Sequence, residues 1–228
     1  VLGGDAGVFT LLLAVFSIGV AVGSLLCERL SGHKVEIGLV PFGSIGMTVF
    51  GVDLYFAHRD VALLHDQAVM TLLAQPSTWR VLADLALMAV FSGFYLVPLF
   101  ALIQSRSARD QVSRVIAANN ILNAAFMVLA SVLAVVLLNR VGLTIPELLL
   151  YTALLNAVVA VYIYTLVPEF LLRFVAWIVS NTLYRLRVEG LDKIPDEGPA
   201  LIVCNHVSFM DPIILFGAER RPIRFVMY

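Results

Sequence analysis

The sequence predicts an all-α polytopic membrane bundle of about five spans, followed by the truncated start of an α/β domain. Three observations carry this expectation. The 228 residues are 61% hydrophobic and only 14% charged, with a mean hydropathy of +0.95. Ordinary soluble domains are roughly 45–50% apolar and about 25% charged. Five stretches reach the about 20 mostly apolar residues that a bilayer core requires. Beyond Pro168 the composition turns polar and turn-rich and then reads as strand, helix, strand. These features exclude a disordered chain, a disulfide-rich secreted module and a nucleic-acid binder with a basic surface. The net charge of −1 points to no partner by itself. Cys27 and Cys204 lie far apart, both on or near the side assigned below to the reducing cytosol, so no disulfide is expected.

The spans are expected at 6–27, 35–56, 81–104, 112–138 and 147–167. Pro41 and Pro98 within them are tolerated, because neighbouring helices re-satisfy the backbone. Arg29, Lys34, Arg106, Arg109 and Arg114 cluster in connections on one side, with Arg173, Arg185, Arg187 and Lys193 in the tail. The other side holds Arg59, Arg80 and Arg140, diluted by Asp60 and Asp66. The excess of positive charge places the first group and the C-terminal tail in the cytosol. Five spans is an odd number for an architecture built from repeats of three or six helices. With Val1 in place of an initiator Met and no signal peptide, a further helix is expected upstream in a longer protein. Gly19 and Gly23, Ser17 and Ala21, and Ala130 and Ala134 stand four apart, the spacing that lets helices approach closely in lipid.

Residues 168–187 combine apolar side chains with a narrow polar stripe that includes Glu169 and Arg173. An in-plane interfacial helix fits this pattern; the other reading is a soluble helix packed on the next domain. The apolar run ALIVC within 199–205 reads as a buried strand. Asp211-Pro212 suits a helix start, with Asp211 as N-cap and Pro212 first in the helix, over 212–218. A second strand is expected at 222–228. The domain organisation is therefore membrane helices over 1–167, a linker helix over 168–187 and the beginning of an α/β domain over 188–228.

The sharpest chemical feature is Asn205-His206-Val-Ser-Phe-Met-Asp211-Pro212. A neutral imidazole can take a proton from a hydroxyl, and a carboxylate on its other nitrogen fixes the tautomer and stabilises the imidazolium that forms. Residues five apart do not share a face of a regular helix, so the pairing needs an irregular turn before the helix. The competing reading is a capping Asp211 beside a merely polar His206. Within the fourth span Asn119 and Asn123 share a face; they line a headgroup path or make interhelical hydrogen bonds. Asp84, early in the third span, is an intramembrane acid and hence a candidate pathway residue, or it sits at the outer interface near Arg80. His33, His58 and His65 have no ligand-like spacing around them, so no metal site is expected. No phosphate-binding glycine loop is visible.

NHVSFMDP (205–212), with its lead-in RVEGLDKIPDEGPALIVCNH (187–206), resembles the first motif of the glycerolipid acyltransferase family, which includes lysophosphatidic acid acyltransferases. The resemblance implies that His206 is a general base on a glycerol hydroxyl that attacks an acyl thioester, with Asp211 orienting it. Acyl-CoA or acyl-carrier protein would be the co-substrate, and no other cofactor is implied. The family's later motifs do not occur before Tyr228, so residues 1–228 alone are expected to be inactive. GSLLCERLSGHK (23–34) is similar, with looser spacing, to the loop motif of the major facilitator superfamily. FYLVPLFALIQ (94–104) and AANNILNAAFMV (117–128) resemble bacterial lysophospholipid transporters. A bacterial fusion of such a transporter with a glycerolipid acyltransferase is the overall resemblance. It implies lysophospholipid transport coupled to reacylation at the inner membrane, the catalytic part cytosolic, and membrane lipids, lysophospholipid and the acyl donor as partners. The alternatives are a transporter with a non-catalytic cytosolic tail and a membrane anchor for a partner domain.

Overall fold

Long apolar runs uninterrupted by turn residues satisfy their backbone internally as helices, and the chain follows this rule. A computed structural model describes residues 4–31, 37–59, 61, 68–183, 186–190, 193–195, 198–218 and 223–225. The helices are α1 (Ala6–Ser31), α2 (Leu39–Arg59), α3 (Val69–Leu73), α4 (Pro76–Arg106), α5 (Val112–Val136), α6 (Ile145–Leu166), α7 (Pro168–Ile178) and α8 (Asp211–Ala218). Five of them, α1, α2, α4, α5 with its extension to Val141, and α6, are long and apolar enough to cross a membrane. The chain is a membrane protein on this ground. The expected spans correspond to these helices one for one. The expected start of the second span, at 35 and 36, and the loop residues Gly32, His33 and Lys34 lie outside the described residues, as do Asp60, His65, Asp66 and Arg185.

Local chemistry sets the helix ends. Pro41 falls in the first turn of α2 rather than in its interior, where a missing N–H costs no helical bond. Gly142, at φ +81°, takes the left-handed backbone that closes the π-helical turn Leu137–Val141, a conformation glycine adopts without a steric penalty. Thr144 and Glu147 cap each other at the start of α6: the Glu147 amide donates to Thr144 Oγ1 (3.4 Å) and the Thr144 amide to Glu147 Oε2 (2.8 Å). This reciprocal capping box starts the fifth span two residues before the expected position.

The helices alternate in direction. Val8 at the start of α1 packs with Leu54 and Ala57 near the end of α2 and with Val81 near the start of α4, with Leu149 of α6 against them. Cys27, Leu39 and Phe94 form a second cluster. Ile37 and Val40 join Leu99, Leu102 and Ile163 in a third. We call the Val8 end upper and the Cys27 end lower. Arg29 and Arg106 then stand at the lower end and Arg59, Arg80 and Arg140 at the upper, and α6 delivers the chain to α7 at the lower end.

The packing faces are made by glycine. A Cβ at Gly23 would stand 2.1 Å from the Val90 carbonyl oxygen, and one at Gly19 would stand 2.7 Å from Ala89 Cβ. So α1 lies almost backbone to backbone on α4. Ser17, Ala21 and Ala130 are exposed and serve no such contact. Between α2 and α6 the cement is polar: Asn156 Nδ2 donates to the Ser44 carbonyl (3.0 Å) and to Thr48 Oγ1 (2.9 Å). By contrast α5 buries no residue.

The tail differs from expectation in its strands. No β-strand forms among the described residues. The run expected as a buried strand is exposed, Leu201 at 88% and Val203 at 84%. A strand exists only where a neighbouring strand takes up its backbone groups, and no described segment offers a ladder. Of the second expected strand, residues 222 and 226–228 lie outside the described residues, and 223–225 are irregular.

Candidate functional site: a His–Asp turn on the membrane-proximal helix

The site is built on a turn between an exposed loop and α8. The Asp211 amide donates to the Ser208 carbonyl (3.0 Å) and the Ile214 amide to the Met210 carbonyl (2.9 Å). The second bond begins the helix one residue before Asp211. Asp211 is therefore inside α8 and is not the N-cap expected from the sequence. Pro212 follows it in the first turn, where no intrahelical N–H is needed. The Asp211 carboxylate turns back along the chain instead of forward into the helix. Its Oδ2 accepts from the Val207 amide (2.6 Å), the Ser208 amide (2.8 Å) and His206 Nδ1 (3.1 Å). Ser208 Oγ accepts from the Met210 amide (3.2 Å) and tightens the same turn.

These bonds settle a question of spacing. Five residues do not bring two side chains together on a helix, but a turn that folds back over the carboxylate does. The Ser208 and Val207 amides, foremost, and then His206 hold the Asp211 carboxyl below the ordinary carboxylate range, with burial opposing. An anionic Asp211 accepts the proton of Nδ1–H and so selects the tautomer in which Nε2 keeps its lone pair. The imidazole is 68% exposed, so Nε2 is open to an incoming hydroxyl.

The turn is tied to the membrane helices through α7. The Arg173 guanidinium lies over the Phe216 ring of α8, 5.3 Å from its centre, and Arg173 is buried. Phe174 next to it meets Phe42 of α2, with ring centres 6.4 Å apart. The sequence places Arg173 in a narrow polar stripe of this helix. It is covered instead, because α8 folds down on it. Helix α7 touches α2 on one side and α8 on the other.

The membrane candidates do not gather into one site. Asp84 is buried in the third turn of α4, at the upper end. Asn119 and Asn123 lie in α5, which starts from the lower end. Asn119 is half-buried with no partner for Nδ2, and Asn123 is exposed. The interhelical hydrogen bonds expected of them are made instead by Asn156. Its signal in the sequence was a lone amide in the middle of an otherwise apolar span. Among the described residues no group of His, Cys, Asp or Glu is arranged to hold a metal ion. Cys27 and Cys204 are both free thiols.

Residues 185–228 match the model of the Acyltransferase family. The matched segment holds both His206 and Asp211, and it supports a transferase activity of the acyl-transfer type. No curated protein matches the chain. No solved structure matches it either. Gly190 and Gly198, inside the matched segment and ahead of the His–Asp turn, have φ of +81° and +87°. Their presence in the lead-in thus has a backbone cause.

Proposed function

We propose that this chain belongs to a phospholipid-remodelling protein of the bacterial inner membrane, which moves lysophospholipid and reacylates it on the cytosolic side. The observation that carries the reading is the 3.1 Å contact between His206 Nδ1 and an Asp211 oxygen already held by two amides. In the reaction Nε2 of His206 takes the proton of a lysophospholipid glycerol hydroxyl. The oxygen attacks the thioester carbonyl carbon of acyl-CoA or acyl-carrier protein. A tetrahedral intermediate forms and its C–S bond breaks. The imidazolium, stabilised by Asp211, returns its proton to the departing thiolate. The products are a diacyl phospholipid and a free thiol.

The five apolar helices support a membrane half resembling the C-terminal helices of a major facilitator transporter. Asn119 and Asn123, one turn apart on α5, are the residues we assign to the headgroup path, with Asp84 a separate group in the upper half.

Replacement of His206 by Ala in the full-length protein tests the reading. General-base removal is expected to lower acyl transfer about a hundred- to ten-thousand-fold, with membrane insertion and lysolipid translocation unchanged. Asp211→Asn, which keeps the shape but not the charge, is expected to lower turnover with little change in KM. Undiminished acyl transfer in His206→Ala refutes the assigned base and leaves a transporter with a non-catalytic tail.

A further inference from the structure

Between α2 and α6 a groove opens on the surface of the bundle, toward the lower end. Ile45 and Val49 of α2 form one wall and Val161 of α6 the other, and all three are exposed. Ala157 and Ala160 are too small to fill the space between them. From Ala157 to Tyr164 the groove follows α6 for about 10 Å, at about 1.5 Å per residue. Its volume is about 180 Å³. Over that length it takes one row of carbon atoms at van der Waals separation, about 3.5–4.0 Å, and not two side by side. Both helices are long and apolar enough to cross a membrane, so their exposed faces meet lipid tails.

The hydroxyl groups that line the groove are already satisfied. Ser44 Oγ donates to the Pro41 carbonyl (3.4 Å) and accepts from the Tyr164 hydroxyl. Thr48 Oγ1 donates to the Ser44 carbonyl (3.0 Å) and accepts from Asn156 Nδ2 (2.9 Å). Each of the three hydroxyl hydrogens therefore has an acceptor within the protein. A polar group placed here finds no free hydroxyl donor, and the groove selects hydrocarbon. Phe42 continues the Ile45–Val49 wall downward, since positions 42, 45 and 49 share a helix face. Phe42 also meets Phe174 of α7, and the next residue of α7, Arg173, lies over Phe216 of α8. The wall thus ends at the helix against which the His206–Asp211 turn is held.

We propose that this groove holds the single acyl chain of a lysophospholipid, with its glycerol end toward α7 and His206. That the occupant is the acyl acceptor rests on the acyl-transfer reading; that it is one alkyl chain rests on the groove alone. Inside a bilayer no hydrophobic force drives a tail into the groove, because lipid tails are as apolar as its walls. Van der Waals contact along the chain holds it there. The gain is one of direction: a tail laid along α6 presents the glycerol hydroxyl at the lower end, where α7 and α8 begin. Esterification adds a second chain for which the groove has no room, so the diacyl product fits less well than the substrate.

Photolabelling of the full-length protein in lipid nanodiscs tests the proposal. The probe is a lysophosphatidylethanolamine whose palmitoyl chain carries a diazirine, and the labelled residues are found by mass spectrometry. Label is expected on Ile45, Val49 or Val161. Excess unlabelled palmitoyl lysophosphatidylethanolamine is expected to suppress it, and added diacyl phosphatidylethanolamine is not. Val161→Trp, which lays an indole across the groove, is expected to lose most of the label and to raise KM for palmitoyl lysolipid with kcat unchanged. Val158→Trp, exposed on α6 outside the groove, is expected to label as the parent does. Should Val161→Trp fail to fold, Val49→Trp blocks the groove from the opposite wall. Absence of label from the three residues overturns the proposal, as does full labelling in the Trp variants of the walls. Equal suppression by the diacyl lipid also overturns it and makes the groove a seat for bulk lipid only. Label in His206→Ala is expected to match the parent, because the tail is held without the base. Loss of acyl transfer with label intact is therefore distinguishable from failure of the groove.

Discussion

At the scale of single residues, Asp211 decides the geometry of the site. Its Oδ2 gathers two amides and the imidazole within 2.6–3.1 Å, so its charge and the shape of the turn are linked. The folded carboxyl titrates below the ordinary carboxylate range, owing first to the Ser208 amide. A depressed folded value means that the stabilisation is fully present above the unfolded pKa, about 3.9. It is lost as pH falls through the lower folded value. The turn is therefore expected to stay closed throughout the neutral and mildly acidic range. An NMR titration of the Val207 and Ser208 amide shifts should show a midpoint below pH ~3.9. A midpoint at or above that value would mean that the amides do not grip the carboxylate. The His–Asp spacing was legible in the sequence. The backward turn of the carboxylate was not, because an Asp before a Pro is compatible equally with capping the helix and with capping the loop.

At the scale of elements, similar small-residue pairs have different fates. Gly19 and Gly23 lie against α4, whereas Ser17 and Ala21, on the same helix at the same spacing, are exposed. Only glycine admits the Val90 carbonyl at such range, so Gly23→Leu forces α1 and α4 apart. Overpacking of this kind typically costs about 1–3 kcal/mol. Thermal unfolding in detergent should move to lower temperature in Gly23→Leu and remain in place in Ser17→Leu. Equal behaviour of the two variants would show that the α1–α4 contact is not a packing determinant. The spacing marks candidates for a close face, but a helix has several such faces and only the position of its neighbour selects one. The Thr144–Glu147 capping box is the opposite case, a boundary signal readable from four consecutive residues.

At the scale of the whole molecule, the alternating helices leave α6 at the lower end, and α7 and α8 carry the His–Asp turn from there. The link includes Phe42 to Phe174 and Arg173 to Phe216. A desolvated cation–π contact contributes about 2 kcal/mol. Phe216→Ala should therefore loosen α8 from α7 and alter the height of His206 relative to the bilayer. On the proposed function, acylation of lysolipid embedded in vesicles is expected to fall about tenfold, largely through KM. Acylation of a short-chain soluble analogue should fall much less. An equal fall with both substrates would place the effect within the turn and not in its attachment to the membrane helices.

The sequence by itself determined the number and order of the spans, the ends at which positive charges collect and the spacing that lets His206 meet Asp211. Each depends on composition or periodicity within a short window, and a helix satisfies its own backbone wherever it lies. The tertiary structure decided which side chains meet: Asn156 with Ser44, 112 positions apart, Asp53 with Arg80, and Arg173 with Phe216. It also decided that the run at 199–205 lacks a ladder among the described residues. Helix partners and strand partners alike are properties of how distant segments pack, and no local pattern encodes them.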